Sequence, residues 1–422
     1  MKRWLKIILS FIGGVAALFI ILAAYIYLQV DMRVDIDDKN VLSPFPNSKS
    51  IVRLDSTTIP SDSITGHIEA LRRRAGVTGL GVSIINNGDV VYQQYFGERN
   101  HAKGETFSPG TILYGASFSK TLLADVTLQL ADEGLLHLDS PLYKYLRKPL
   151  PEYKTSTLAQ FFGANNYDYT DLAGDDRYMM ITARMCLSHA TGLPNWRWIE
   201  PDGKLKFKFE PGERYSYSGE GMFLLQLVLE ELSGKDFEQL ADEKIFQALR
   251  FRRSSFVWQR AYEGHYAVGH DVNGNFIGIP KRNVPNAAGS LSTTLEEYTG
   301  YFNTVLGQGE QHYRLMTTKQ IPIPFKQQFG PEALVETHDY DSIQLGYGLG
   351  YGVYQTPYGR AFFKEGHGDG WQHYAVGFPN RKTALVLMSN SDNAESIFKE
   401  LIEFTTGNEY TPWYWENYIP HQ

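Results

Sequence analysis

A single cysteine, Cys186, stands in a chain of 422 residues. No disulfide can form within the chain, and a zinc site built on several cysteines is excluded. Cys186 lies among apolar neighbours in ITARMCLSHATGL, so a small buried side chain is expected there. A basic surplus is also lacking: 40 Lys and Arg face 47 Asp and Glu, a formal net charge of −7. That balance gives no reason to expect a nucleic-acid partner. Two catalytic signatures are missing as well. No G-x-S-x-G nucleophile elbow occurs; residues 115–119 read Gly-Ala-Ser-Phe-Ser. His265 and His270 lack the H-E-x-x-H spacing and neighbouring acids, so no metal site is expected. Neither an internal repeat nor a low-complexity tract is found.

What is present begins with a long apolar run. Lys2, Arg3 and Lys6 precede residues 7–30, which carry no charge. About 20 apolar residues span a bilayer as one helix. A secretory signal has a shorter apolar core, about 7–15 residues. The expectation is therefore an uncleaved transmembrane anchor over residues 1–30, in contact with the membrane through residues 7–30. The flanking basic residues place the N-terminus in the cytoplasm. The protein is then a single-pass cell-membrane protein with its active domain extracytoplasmic. Residues 31–63, rich in Pro, Ser and Asn, read as a linker. The folded domain is expected over 64–405, with a tail over 406–422.

Hydrophobic residues make up 43% of the chain, enough for a large core. GLGVSIINNGDVVYQQYFG reads as a hairpin turning at Asn87-Gly88. Leu122, Val126 and Leu130 form a helical stripe that Gly134 ends. Helical periodicity follows at 181–190, 220–233 and 236–249. YGLGYGVYQ, GRAFFKEG, HYAVGF and TALVLMSN then read as strands, before a last helix over about 393–405. The simplest architecture is α+β: an antiparallel sheet joining the first hairpin to the last strands, flanked by helices, with a mostly helical lobe inserted.

Three short segments can carry chemistry. Ser117 and Lys120 lie one helical turn apart, so they share a face. A lysine whose pKa is lowered by burial can take a serine proton. The same spacing recurs at Ser396 and Lys399. Gly115 and Ala116 leave room before Ser117, and an apolar helix follows that can bury Lys120; Ser396 has neither. Tyr217 and Ser218 stand just before an apolar helix, where a phenol can relay a proton. His367 sits among Gly366, Gly368 and Gly370, and glycines beside a strand let a substrate approach the backbone.

Taken in order, Ser-x-x-Lys, Tyr217-Ser218-Gly219 and His367-Gly368-Asp369-Gly370 resemble the motifs of the penicillin-recognising serine hydrolases. The likeness is greatest to the class C β-lactamase branch, with its D-alanyl-D-alanine carboxypeptidases, D-aminopeptidases and esterases. It covers about residues 64–405 and includes the landmarks ITARMCLSHATGLP and NAAGSLSTTLEEYTGYF. The resemblance implies an acyl-enzyme on Ser117, with Lys120 helping to deprotonate it. It implies Tyr217 as general base and later proton donor. It implies His367 as the hydrogen-bonding or positive group of the third motif. Oxyanion donors would be the N–H groups of Ser117 and Gly370. No metal or organic cofactor is required.

Three positions depart from the family pattern. Gly219 replaces the motif asparagine, Asp369 replaces a glycine, and His367 replaces the lysine of true β-lactamases. Poor β-lactam turnover is expected. Substrates implied are small esters or D-amino-acid peptides, such as cell-wall fragments. The alternative is a non-catalytic cell-envelope binding protein that keeps the fold.

Overall fold

The computed structural model describes residues 47–420 apart from 162, together with 13–15, 19 and 45. Most of the expected anchor therefore lies outside the described residues. No helix among the described residues is long and apolar enough to cross a membrane.

The centre of the fold is a nine-stranded antiparallel sheet. Its strands, in chain order, are β1 Gly79–Asn86, β2 Asp89–Asn100, β3 Glu105–Thr106, β4 Ile321–Pro322 and β5 Gly346–Tyr347. They continue as β6 Gly352–Thr356, β7 Gly359–Gly368, β8 Trp371–Phe378 and β9 Thr383–Ser389. The spatial order is β4-β5-β6-β7-β8-β9-β1-β2-β3. The first hairpin joins the last strands through β9, where Leu385 faces Ile84 and Leu387 faces Val82. The segment between β3 and β4 forms the inserted, mostly helical lobe. The α+β architecture expected from the sequence is the one observed.

Alternation along β9 serves two cores. Leu385 and Leu387 pack with α1, Ser61–Arg74, and α5, Phe398–Thr406. Val386 and Met388 pack on the other face, in the core shared with three helices. These are α2 Ser119–Asp132, α3 Gly219–Ser233 and α4 Leu295–Gly307. Each fully buried large aliphatic residue contributes about 1.5–3 kcal/mol. A register slip of one residue in β9 would exchange the two faces, though both would remain apolar.

Several expected boundaries move. The helix expected over 181–190 spans only Ala183–Leu187. His189 adopts φ +57°, which a continuing helix does not allow. The helix expected over 236–249 is α-helical at Phe237–Ala241 and widens to a π turn over Asp242–Phe246. The linker does not extend to residue 63. Ser50–Val52 pairs with Thr58–Pro60, and Ile51, Leu54 and Ile59 are buried. The Asn86 amide holds both backbone groups of Val52 at 2.9 Å. Nor is 406–422 a free tail. Trp413 and Trp415 are buried in the core on the α1 and α5 side, and Glu416 accepts from Tyr374 Oη at 2.9 Å.

Candidate active site

Ser117 sits in a single 3-10 turn, Ala116–Phe118, that runs directly into α2. The preceding residue, Ala116, has φ +46°, a left-handed conformation that costs a residue with a Cβ roughly 1 kcal/mol. Ser119 fixes this turn: its Oγ donates to Ala116 O at 2.6 Å and accepts from Leu291 N–H at 3.0 Å.

The following helix is buried on nearly every side, and Lys120 is only 1% exposed. Its Nζ donates to Ser117 Oγ at 2.9 Å and to Ala288 O at 2.5 Å. Burial, reinforced by repulsion from Lys364 and opposed by Tyr217, pulls the amine below its ordinary pKa. Tyr217 stands across from it, with Lys120 Nζ 5.1 Å from the ring centroid. Burial alone would raise this phenol. The charges of Lys120 and Lys364 outweigh burial and bring it below its ordinary value. His189 supports the arrangement. Its ring lies 4.1 Å from the Tyr217 ring, and its Nδ1 accepts from Ser218 N–H at 3.0 Å. Full burial, with Lys120 and Lys364 nearby, holds His189 neutral.

The second cation beside Tyr217 is Lys364, not His367. Lys364 Nζ is fully buried, 5.1 Å from the Tyr217 ring and 3.4 Å from Glu365. Strand alternation explains the exchange. Lys364, Gly366 and Gly368 share one side of β7. A Cβ at Gly366 would come 3.2 Å from Gly115 O, and one at Gly368 would come 2.9 Å from the Tyr114 ring. The two glycines therefore let β7 lie against the Ser117 turn, and Lys364 reaches beneath it. Glu365 and His367 have the other parity and border the pocket. The His367 ring is 38% exposed, with Nδ1 3.7 Å from Glu395.

Two other expectations change. Gly370 does not offer a free N–H, because that group donates to Asp392 Oδ1 at 2.7 Å. Asp369 and Gly370 form the tight turn between β7 and β8 and do not line the pocket. Gly219 lacks a side chain because none fits: a Cβ there would stand 2.6 Å from the Trp196 indole. The amide missing from that position comes from another loop. Asn195 lines the pocket and accepts from Gly219 N–H at 3.1 Å. Arg197 anchors the loop through a bidentate pair with Glu220, at 2.9 and 2.8 Å.

These groups enclose a pocket of about 140 Å³, walled by Tyr114, Trp196, Tyr217 and Phe329 around Ser117. A larger cavity of about 530 Å³ near Trp258, Tyr266 and His270 contains no serine-lysine pair. Among the described residues, no strand pairs with the outer edge of β7 from Lys364 to Gly368, since β6 pairs only as far as Phe363. An extended substrate can pair with that edge. Lys120 and Tyr217 can together accept the Ser117 proton, in a surrounding that weakens both of their protonated forms.

The sequence pointed to Ser117, Lys120, Tyr217 and Gly219. It missed Lys364, Glu365, Asn195, Trp196 and Phe329. Lys364 had a usable signal, since it lies two residues before Gly366 on a strand and so on the same face.

The comparisons with known proteins agree with this fold. A family model described as Beta-lactamase matches residues 64–404. Teichoic acid D-alanine hydrolase of Staphylococcus aureus is 24% identical over 267 residues, covering 61% of this chain and 60% of that protein. The D-alanyl-D-alanine-carboxypeptidase/endopeptidase AmpH of Escherichia coli is 23% identical over 199 residues, 47% of this chain and 50% of that one. The chain thus spans about half the length of the curated relatives it matches. Among solved structures, the octameric penicillin-binding protein homologue from Pyrococcus abyssi superposes with a TM-score of 0.64 at 22% identity. That superposition covers 84% of this chain and 80% of the other. A D-alanine carboxypeptidase AmpC from Burkholderia cenocepacia gives 0.60 at 17% identity, covering 78% and 93%. With four-fifths of its length matched to one family model and the same fold in its structural neighbours, this chain belongs to the Beta-lactamase family of serine hydrolases.

Proposed function

We propose that the protein hydrolyses esters or amides through an acyl-enzyme on Ser117. The observation that carries this reading is the 2.9 Å contact between Ser117 Oγ and the buried amine of Lys120. Ser117 Oγ attacks the substrate carbonyl, and its proton passes to the Lys120 and Tyr217 pair. The pair returns that proton to the leaving oxygen or nitrogen as its bond to carbon breaks. Water then attacks the acyl group, gives a proton to the same pair, and releases the acid with Ser117 restored. The titrations of the two groups are linked, so the base is assigned to the pair. Lys364 steadies negative charge on Tyr217. With Gly370 N–H taken by Asp392, oxyanion donors are sought at Ser117 and along the open edge of β7.

The relatives named for D-alanine hydrolysis and D-alanyl-D-alanine carboxypeptidase activity support D-alanyl esters and short D-peptides as substrates. Residues 7–30 anchor the protein in the cell membrane with this domain outside. A topology reporter joined after Asn40 is active outside the cytoplasm on this account; activity only inside contradicts it. Intact-mass measurement across a panel of esters, D-peptides and β-lactams tests the chemistry. An acyl adduct that Ser117→Ala removes supports it. Absence of any adduct, with no turnover, favours the envelope-binding alternative.

A further inference from the structure

Phe329 borders the pocket but is packed in neither hydrophobic core. It is 37% exposed. Its ring stands edge-on to the Tyr217 ring, with centroids 5.4 Å apart and planes at 72°. A large aromatic side chain left partly in water gains little from burial, so its place over the pocket needs another cause. The loop that carries it is held by the C-terminal segment. Trp415 O accepts from Gln328 N–H at 2.7 Å. Asn417 clamps the Phe329 backbone: its Oδ1 accepts from Phe329 N–H at 3.2 Å, and its Nδ2 donates to Phe329 O at 3.3 Å. The Gln328 side chain turns inward and donates to Glu365.

The clamp suits the residue that makes it. Asn417 has φ +63°, a left-handed conformation that asparagine tolerates better than most residues. Its amide offers the one acceptor and one donor that a backbone peptide needs. The segment is itself anchored. Trp415 is fully buried, its ring centroid 5.9 Å from that of Tyr215, and Glu416 accepts from Tyr374. Tyr215 is two residues before Tyr217. Residues 411–418 thus pack against the Tyr217 segment and hold the ring that faces it, although they lie beyond the residues 64–404 that the family model matches. The chemistry says which part of a substrate meets Phe329. The Lys120 and Tyr217 pair returns the Ser117 proton to the leaving atom, so the leaving group lies beside Tyr217 as its bond to carbon breaks. Phe329 is set against Tyr217 and opens to water, where the leaving group departs.

We propose that Phe329 is a specificity-determining residue that packs on the leaving group during acylation, and that Asn417 is a positioning residue that acts through it. The proposal rests on the hydrolase reading and extends that site to the C-terminal segment.

Turnover of phenyl acetate is compared with that of trifluoroethyl acetate, using the full chain. Both are activated acetates, one with a flat aromatic leaving group and one with a small one, and both leave the same acetyl group on Ser117. Their ratio of kcat/KM therefore reports acylation alone. Phe329→Ala is expected to lower the preference for the phenyl ester by about 3- to 10-fold, the worth of one aromatic pair. Asn417→Gly keeps the left-handed backbone and removes the amide; it is expected to lower the ratio by about twofold or more. In the Phe329→Ala background the same change is expected to leave the ratio as it is, because the clamp then holds no ring. Asn417→Asp, which keeps the acceptor and loses the donor, takes its place in this cycle if Asn417→Gly does not fold. A loss in Phe329→Ala that falls equally on the two esters overturns the assignment while leaving the hydrolase reading intact. So does a ratio that the Asn417 variant leaves unmoved, or shifts equally in both backgrounds. Failure to hydrolyse either ester, while a fluorophosphonate still modifies Ser117, has the same meaning. Absence of both turnover and that adduct overturns the two readings together.

Discussion

The chain contains the same local pattern twice, and the two copies have different environments. Lys120 is 1% exposed and points its amine at Ser117 Oγ from 2.9 Å. Lys399, three residues after Ser396, has a side chain 41% exposed and pairs with Glu403. Ser396 Oγ turns instead to Asn393 O, at 2.7 Å. Both copies place serine and lysine at one helical turn. Only the first removes the amine from water, leaves it no carboxylate partner in contact, and turns a phenol ring toward the amine, 5.1 Å away; the phenol at the second copy, Tyr418, donates to the Ser396 carbonyl at 2.7 Å instead. Spacing brings the groups onto one face; burial and the choice of partner decide whether they can react.

The largest expected effect separates the two serines. Ser117→Ala should lower turnover of a short-chain p-nitrophenyl ester by about 10⁴-fold or more, the scale seen when a nucleophile is removed. Ser396→Ala should leave the rate within twofold. Equal losses in the two variants would erase the distinction. The lysines come next. Lys120→Ala should cost about 10²–10⁴-fold in kcat, the usual range for general acid–base catalysis. Lys399→Ala removes an exposed ion pair and should change stability by less than about 1 kcal/mol. Chemical denaturation and steady-state kinetics on both variants check the pair.

The contrast was partly legible in the sequence. Gly115 and Ala116 before Ser117, and the apolar run after Lys120, signalled a buried turn, whereas SIFK at 396–399 had neither. Tyr217 was legible through its place before an apolar helix, and the sheet through the Asn87-Gly88 turn and the alternation in its strands. Lys364 was obscured because His367, flanked by glycines, drew the motif reading three residues downstream. Asn195 and Trp196 lie in an irregular loop, which has no period to read. The strands Ser50–Val52 and Thr58–Pro60 are too short to show alternation. The C-terminal segment owes its place to Trp413 and Trp415, whose burial depends on tertiary contacts.

A smaller effect concerns how the first turn is held. His373 Nε2–H donates to Tyr114 O at 2.7 Å, and Ser389 N–H donates to His373 Nδ1 at 3.2 Å. Both nitrogens are thus used by the neutral ring. Burial brings its pKa down to about 4, from an ordinary 6.5. Between those values the unfolded chain binds a proton that the native ring does not. This group's contribution therefore weakens as pH falls, by about 1.4 kcal/mol per pH unit. Ring NMR should find His373 neutral at pH 5; a protonated ring there would remove this support from the account. The smallest effect is strain. Ala116→Gly should stabilise the fold by up to about 1 kcal/mol by relieving the left-handed residue before Ser117. The Ser396 turn has no positive-φ residue to relieve.

The central claim is that the buried amines lower the cost of ionising Ser117. Its most direct measurement is the pH dependence of fluorophosphonate modification, mapped to the residue modified, in wild type and Lys364→Met. The account predicts an adduct on Ser117 alone, with a rate that climbs on the acid side of pH 10. In Lys364→Met that limb should move to higher pH, because the phenol loses one of the cations that lower its pKa. Modification at Ser396, or a limb that stays in place when Lys364 is neutralised, would contradict it.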